Sequence, residues 1–232
     1  MGTAFQPLPD PRPGDAAWPE MSWPVPAGTV LRGRVVELAT GDPERDDAPG
    51  LFAALDHDAV WAHVAGRPRS EEDALARARA ASRPTRQPWT MRTLRAHRGL
   101  PAGSVIGSTS FIDVQQENAS LEIGSTTYTP TVWAGPVNPE TKLLLLGYAF
   151  DVLGAGRVQL KTDIRNTRSQ RAIERLGARY EGVLRRHMRR DDGTVRDTVM
   201  FSIIAEDWPA VREALTKRVA AAVAAEEGSA LN

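Results

Sequence analysis

Residues 121–182 read LEIGSTTYTPTVWAGPVNPETKLLLLGYAFDVLGAGRVQLKTDIRNTRSQRAIERLGARYEG, and the order of elements inside them decides the fold. SLEIGSTTYT (120–129) reads as a strand. Thr141–Leu153 (TKLLLLGYAFDVL) is a helix apolar on most faces, and so is buried on more than one side. RVQLKTD (157–163) is a second strand. Thr167–Leu176 (TRSQRAIERL) is an amphipathic helix: Ala172, Ile173 and Leu176 form its stripe, and Arg168, Arg171 and Arg175 are expected to face water. Gly177 stops it at the usual C-terminal cap.

Working outward, ARYEGVLRRHMRR and TVRDTVMFSII follow as two strands joined by Asp191-Asp192-Gly193, a hairpin turn signal. Asp207 opens a final helix, Pro209 being tolerated in its first turn, and the Ala-rich end (219–232) is expected to fray. Toward the N-terminus, WTMRTLRA and SVIGSTSFIDV are strands. Pro49–His57 and Ser70–Ser82 are helices, the second capped by Ser70 with Glu71, Glu72 and Asp73 in its first turn. TVLRGRVVELAT (29–40) reads as one strand. Residues 1–26 carry seven prolines (Pro7, Pro9, Pro11, Pro13, Pro19, Pro24 and Pro26) and form an extended arm. Trp18 and Trp23 within it either anchor the arm to the domain or reach a second subunit, which leaves a homodimer open. The domain plan is therefore an arm (1–26), one domain (27–218) and a tail (219–232), of mixed α/β class with a mixed sheet and helices on its faces.

Composition narrows the function. The 232 residues suit one globular domain plus extensions, and no run of about 18 apolar residues suggests a membrane span. The opening MGTAFQPLPDPRPG lacks the apolar core of a secretory signal. Cysteine is absent, which excludes disulfides, thiolate zinc sites and cysteine nucleophiles and fits a cytoplasmic setting. The 29 basic and 29 acidic side chains balance, against a nucleic-acid partner. His57, His63, His97 and His187 have no metal-ligand spacing, so no metal is expected. No Ser/His/Asp arrangement, P-loop or dinucleotide fingerprint occurs.

Two connections can carry chemistry. In TPTVWAGPVNPE, Asn138 is a good N-cap, Pro139 suits the first helical position and Glu140 the first turn, so the helix start offers free N–H groups to an anion; Gly135 lets backbone approach a ligand. In DIRNTRS, Asn166 can cap the next helix while Ser169 sits one turn inside it; this is either a cap with an exposed serine or a pair of polar groups overlooking a cleft.

The order and spacing of these two features resemble the GNAT superfamily of acyl-CoA-dependent N-acyltransferases, most closely its RimJ/RimL-like branch. The resemblance covers about Thr29 to Leu215 and is most specific over Leu121–Gly182: LEIG, the Trp133 loop, the Leu-rich helix, then D-x-x-N-x-x-S with LGA and EG. It implies a sheet of about seven strands with helices on both faces, and a gap where strands 120–129 and 157–163 splay apart. Peptide groups near Ser125, Thr126, Thr127 and Tyr128 would pair with the pantetheine arm of acetyl-CoA, and a backbone N–H near Ser125–Thr126 would face the oxyanion. Trp133, Ala134, Gly135, Val137 and Asn138 would receive the pyrophosphate. Asn166 would bond pantetheine, and Ser169 would protonate the departing thiolate.

Glu122 lies eleven residues before Trp133, which resembles the placing of the catalytic glutamate in histone-acetylating relatives and implies a candidate base; the alternative is an ordinary strand carboxylate paired with an arginine. The run Arg185, Arg186, His187, Arg189, Arg190 splits by alternation between two faces; it either pairs with Asp197 or, through Arg185 or His187, guides an anionic substrate or acyl group. The implied activity is acetyl transfer from acetyl-CoA to a primary amine, on a protein N-terminus or a small molecule, by direct attack in a ternary complex. One departure is Pro136, at the loop's usual central glycine. Losing that donor would cost about 1.5–3 kcal/mol of phosphate binding, and the alternative it raises is a GNAT-shaped binding or scaffold protein.

Overall fold

The computed structural model describes residues 6–10, 17–40, 47–81 and 83–229. Pro11 and Pro13 of the arm, Ser82 of the predicted second helix and residues 230–232 lie outside them. Eight strands form one sheet in the order β1-β2-β3-β4-β5-β6-β8-β7. They are β1 (Val30–Arg32), β2 (Val36–Thr40), β3 (Gln87–Thr93), β4 (Val105–Gln115), β5 (Ser120–Tyr128), β6 (Arg157–Asp163), β7 (Arg179–Arg189) and β8 (Val195–Ile204). Every neighbouring pair is antiparallel except β5 and β6. The helices are α1 (Asp47–Leu55), α2 (Asp58–Trp61), α3 (Glu71–Ala81), α4 (Val137–Gly147), α5 (Thr167–Glu174) and α6 (Trp208–Ser229). They lie on both faces: neighbouring residues of a strand point oppositely, and Thr126 bonds Lys142 of α4 while Thr127 faces the cavity under α1 and α3.

The core lies between the sheet and α4 and α6. Leu145 and Leu146 of α4, Leu160 of β6, Ile203 of β8 and Leu215 of α6 are all at most 2% exposed. Trp89, Phe111 and Tyr148 form an aromatic cluster, with centroid separations of 5.7–6.5 Å.

Four sequence expectations change. Residues 29–40 are two strands, with a turn at Gly33–Val35 closed by Gly33 N–H to Val36 C=O at 2.9 Å. The cause lies far along the chain. The buried Glu140 carboxylate accepts the N–H groups of Arg34, Val35 and Val36 at 2.7, 2.7 and 2.9 Å, holding the turn open against α4. That break makes eight strands of the expected seven.

The leucine-rich helix starts at Val137 with Pro136 as N-cap, so Asn138 and Pro139 are its second and third residues; it ends at Gly147 and passes into a π-helical turn, Tyr148–Val152. The Ala-rich end does not fray within the described residues. α6 runs to Ser229, Val219 and Val223 are buried, and Glu227 and Glu226 reach Arg95 and Arg98 at 2.6 and 3.0 Å.

The basic run does not alternate. A bulge sets Arg185–His187 against Asp197, Arg186 takes φ 51°, and Asp197 Oδ1 accepts the backbone N–H of Arg186 at 2.7 Å instead of a guanidinium. In the arm, Trp23 Nε1–H donates to Pro84 C=O at 2.6 Å, and Met21 and Val25 are buried, so this part is anchored to the domain. Trp18 donates to Glu117 C=O at 3.0 Å with its side chain largely exposed.

Candidate active site

The parallel pair β5–β6 is joined for three residues, Ser120–Glu122 against Arg157–Gln159, and then parts. β5 beyond Glu122 stays bonded to β4 on its other side, so its peptide groups facing β6 are left unpaired by the sheet. A bulge occurs in this reach: Gly124 opposes Ser110, Thr127 opposes Ser108, and Ser125 takes φ 49°. The bulge turns successive peptides of residues 124–126 out of the regular ladder.

Both loops expected to carry chemistry meet over the gap. The Arg168 guanidinium lies 3.9 Å from the centroid of the Trp133 ring, so the start of α5 touches the loop before α4. Arg168 is exposed, as expected, and its guanidinium at the same time stacks on Trp133. Trp133 Nε1–H donates to Tyr128 C=O at 3.1 Å, and Tyr128 OH donates to Asn138 Oδ1 at 3.1 Å, tying the end of β5 to the first turn of α4. Asn138 thus spends its carbonyl on tyrosine and not on capping. Burial pushes the Tyr128 phenol up, so it stays protonated.

At the start of α4, Pro136 and Pro139 lack N–H groups, which leaves Val137 and Asn138 as the donors of the first turn. Pro136 takes φ −70° as N-cap and its carbonyl accepts Glu140 N–H at 3.0 Å; Ala134, two residues earlier, takes φ 59°. Gly135 is pressed by α6. A Cβ there would stand 2.9 Å from Glu226 Oε1, and Arg98 ties the loop by donating to Thr131 C=O and Trp133 C=O at 3.2 and 3.0 Å.

At the start of α5, Asn166 Oδ1 accepts Ser169 N–H at 3.0 Å, leaving the asparagine NH2 and the Ser169 hydroxyl for a ligand. The loop before it is fixed by buried Asp163, which accepts two hydrogen bonds from Arg190 at 2.6 and 2.8 Å and one from Arg165 N–H at 2.9 Å. The Arg190 guanidinium holds the Asp163 carboxyl below its ordinary range.

Glu122 is 2% exposed and paired with a lysine, not an arginine: Lys161 Nζ lies 2.7 Å and Gln159 Nε2 3.1 Å from its Oε2. Its Oε1 leans over Gly124, where a Cβ would come within 2.6 Å of it. Burial raises the Glu122 pKa above 4.5 despite Lys161. His187 Nδ1 lies 3.0 Å from Thr198 Oγ1, and burial followed by the Lys161 and Arg196 charges pushes its pKa down. Arg185 and His187 are exposed on β7, two strands beyond β6.

The sequence reading missed Lys142. It is 5% exposed on α4, donates to Thr126 Oγ1 at 2.8 Å, and is pushed down to about 7 by burial. Thr126 Oγ1 in turn lies 2.8 Å from Thr109 Oγ1. A lone cation in an otherwise leucine-rich helix was the available signal. Among the described residues no cluster of three His, Cys, Asp or Glu is placed to hold a metal ion, and no helix is long and apolar enough to cross a membrane.

A mixed sheet splayed between two parallel strands, with two helix starts over the opening, is an acyltransferase architecture. Residues 41–179 match the family model described as acetyltransferase (GNAT) domain, and the chain belongs to that family. It is 28% identical to a GCN5-related N-acetyltransferase from Brucella melitensis of known structure, with TM-score 0.77 over 87% of this chain and 89% of that one. It is similar in fold to Mycobacterium smegmatis RimJ in complex with CoA-disulfide, at 20% identity and TM-score 0.66 over 82% of this chain and 93% of that one. It is 31% identical over 100 residues to the uncharacterized N-acetyltransferase YoaA of Bacillus subtilis (strain 168), a match that spans 43% of this chain and 55% of YoaA.

Proposed function

We propose that the protein is an N-acetyltransferase of the RimJ/RimL-like branch that moves an acetyl group from acetyl-CoA to a primary amine by direct attack in a ternary complex. One observation carries the reading: β5 and β6 part after three paired residues, directly beside the contact between the Trp133 loop and the start of α5. The likeness to RimJ and the D-x-x-N-x-x-S wording support the branch.

In this reading the free peptide groups of Ser125–Tyr128 and the NH2 of Asn166 hold the pantetheine arm. Ala134, Gly135, Val137 and Asn138 supply donors to the diphosphate, with Trp133 and Arg168 beside it. Acetyl-CoA supplies the activated acyl group. Glu122 takes the proton of the acceptor ammonium, a backbone N–H at the Ser125 bulge faces the developing oxyanion, and Ser169 protonates the leaving thiolate. The unit that performs this is the 27–218 domain with the rest of α6. A cytoplasmic location accords with the cysteine-free chain. A homodimer would use the exposed edge strand β7, which presents Tyr180, Val183, Leu184 and Met188.

Calorimetry with acetyl-CoA, followed by thiol release with an amine panel, tests the proposal. Micromolar binding is expected, and Ser169→Ala is expected to lower kcat by about 10²-fold or more while binding persists. No heat at millimolar acetyl-CoA would overturn the proposal and favour the scaffold reading that Pro136 raises.

A further inference from the structure

The face of the sheet opposite α4 carries a cavity of about 360 Å³ beneath α1 and α3, and Ser125 and Thr127 of the splayed strand open into it. Its roof is apolar: Leu51, Phe52 and Leu55 of α1, Trp61 of α2 and Leu75 of α3. No side chain of α3 is buried. Its apolar side, Ala74, Leu75, Ala78 and Ala81, lines the hollow.

At the floor stands Arg86. Its guanidinium is half-buried and pairs with no carboxylate among the described residues; one terminal nitrogen donates to Ser110 Oγ at 3.2 Å, and Nε is buried without an acceptor. Arg83 and Arg77, which also line the cavity, add their charges to its surroundings, and Asp113 is the acidic group that offsets them. Asp113 is already engaged by Lys161 at 3.2 Å, and Asp47 at the cavity edge is engaged by Arg92. A desolvated guanidinium without a counter-ion is costly unless a ligand provides one.

Position completes the argument. Ser110 is the register partner of Gly124, the residue over which Glu122 Oε1 leans. The Ser110 anchor of Arg86 and the free Glu122 carboxylate oxygen therefore lie on one face of the sheet on neighbouring strands, with the bulged Ser125 peptide next to them. Arg185 and His187, on β7, stand two strands beyond β6.

We propose that the acceptor is a free α-amino acid with an apolar side chain: its carboxylate is held by Arg86 and Ser110, its amino group lies beside Glu122 Oε1 at the strand gap, and its side chain fills the hollow under α1 and α3. This rests on the acetyl-transfer reading above and names its substrate class. A peptide N-terminus lacks the α-carboxylate and leaves Arg86 unmatched. On attack, the amine nitrogen forms the new bond to the acetyl carbon and the carbon–sulfur bond breaks. The ammonium proton passes to Glu122 before attack; as the carbon–sulfur bond breaks, Ser169 gives its hydroxyl proton to the thiolate and is reprotonated by the second proton shed from the nitrogen.

Thiol release from acetyl-CoA with the full chain tests this, comparing L-leucine, L-leucinamide and isopentylamine. Leucine is expected to exceed both in kcat/KM by roughly 10- to 150-fold, the range of one charge-assisted contact. Arg86→Met is expected to remove that advantage while leucinamide turnover and acetyl-CoA binding stay as they were. Leucinamide or isopentylamine equal to leucine in the unaltered protein would overturn the acceptor assignment and leave the acetyl-transfer reading standing. Absence of acetyl-CoA binding would overturn both. An Arg86-dependent preference for succinyl-CoA over acetyl-CoA, without discrimination among the three amines, would move the carboxylate to the donor and overturn the assignment.

Discussion

Glu122 illustrates how neighbours set the chemistry of one residue. Burial raises its pKa, Lys161 and Gln159 pull it back, the Asp113 charge adds a lesser push upward, and the net shift is upward. As the proposed base, Glu122 must be ionised to work, so activity is expected to rise with pH through this raised value. The acid limb of kcat/KM is expected above the ordinary glutamate pKa of 4.5. Glu122→Gln is expected to abolish that limb and to lower the rate by about 10²- to 10⁴-fold; a pH–rate profile checks it, and an unchanged limb would assign the titration to another group. At this scale the sequence was only partly legible. The family resemblance singled out Glu122, Asn166 and Ser169 as candidates, but the lysine partner of Glu122 could not be read, because β5 and β6 meet only through a parallel crossover. Arg86 had no sequence signal at all: its proposed role rests on the lack of a carboxylate partner among the described residues.

Elements show why local pattern falls short. TVLRGRVVELAT has the composition of one strand, yet three consecutive N–H groups of its middle are taken by Glu140, over a hundred residues later. No local propensity carries that information. The same contact fixes the first turn of α4, and hence the donors of Val137 and Asn138. Glu140→Gln keeps the shape but replaces an all-acceptor group with one that also donates, so a loss of about 2–4 kcal/mol is expected, read as a lower urea midpoint. A midpoint within error of the unaltered protein would remove Glu140 from this role. The basic run on β7 failed for a related reason: a bulge is set by what the partner strand offers, here Asp197, and simple alternation cannot anticipate it. By contrast, Gly177 and the Asp191–Gly193 turn were readable because each is a local backbone requirement, with φ 91° at Gly177 and 82° at Gly193.

For the whole molecule, the last helix is part of the domain and not an appendage. Beyond residue 218 it still buries Val219 and Val223 and places Glu226 against His97, Arg98 and Gly135. Alanine-rich composition concealed this, since only two of its residues face the core. Ending the chain at Arg218 is expected to cost about 3–6 kcal/mol from those two valines, measured by urea unfolding; no loss would restore the boundary suggested by composition. The parting of β5 from β6 has a consequence of its own. It perforates the sheet, so under the proposed reading the donor would dock on the side of the helix starts and the acceptor on the side of the hollow, and neither would block the other's doorway. Loading would then need no fixed sequence, and a conjugate tethering both reactants would have to be threaded through the aperture with its slimmer end leading.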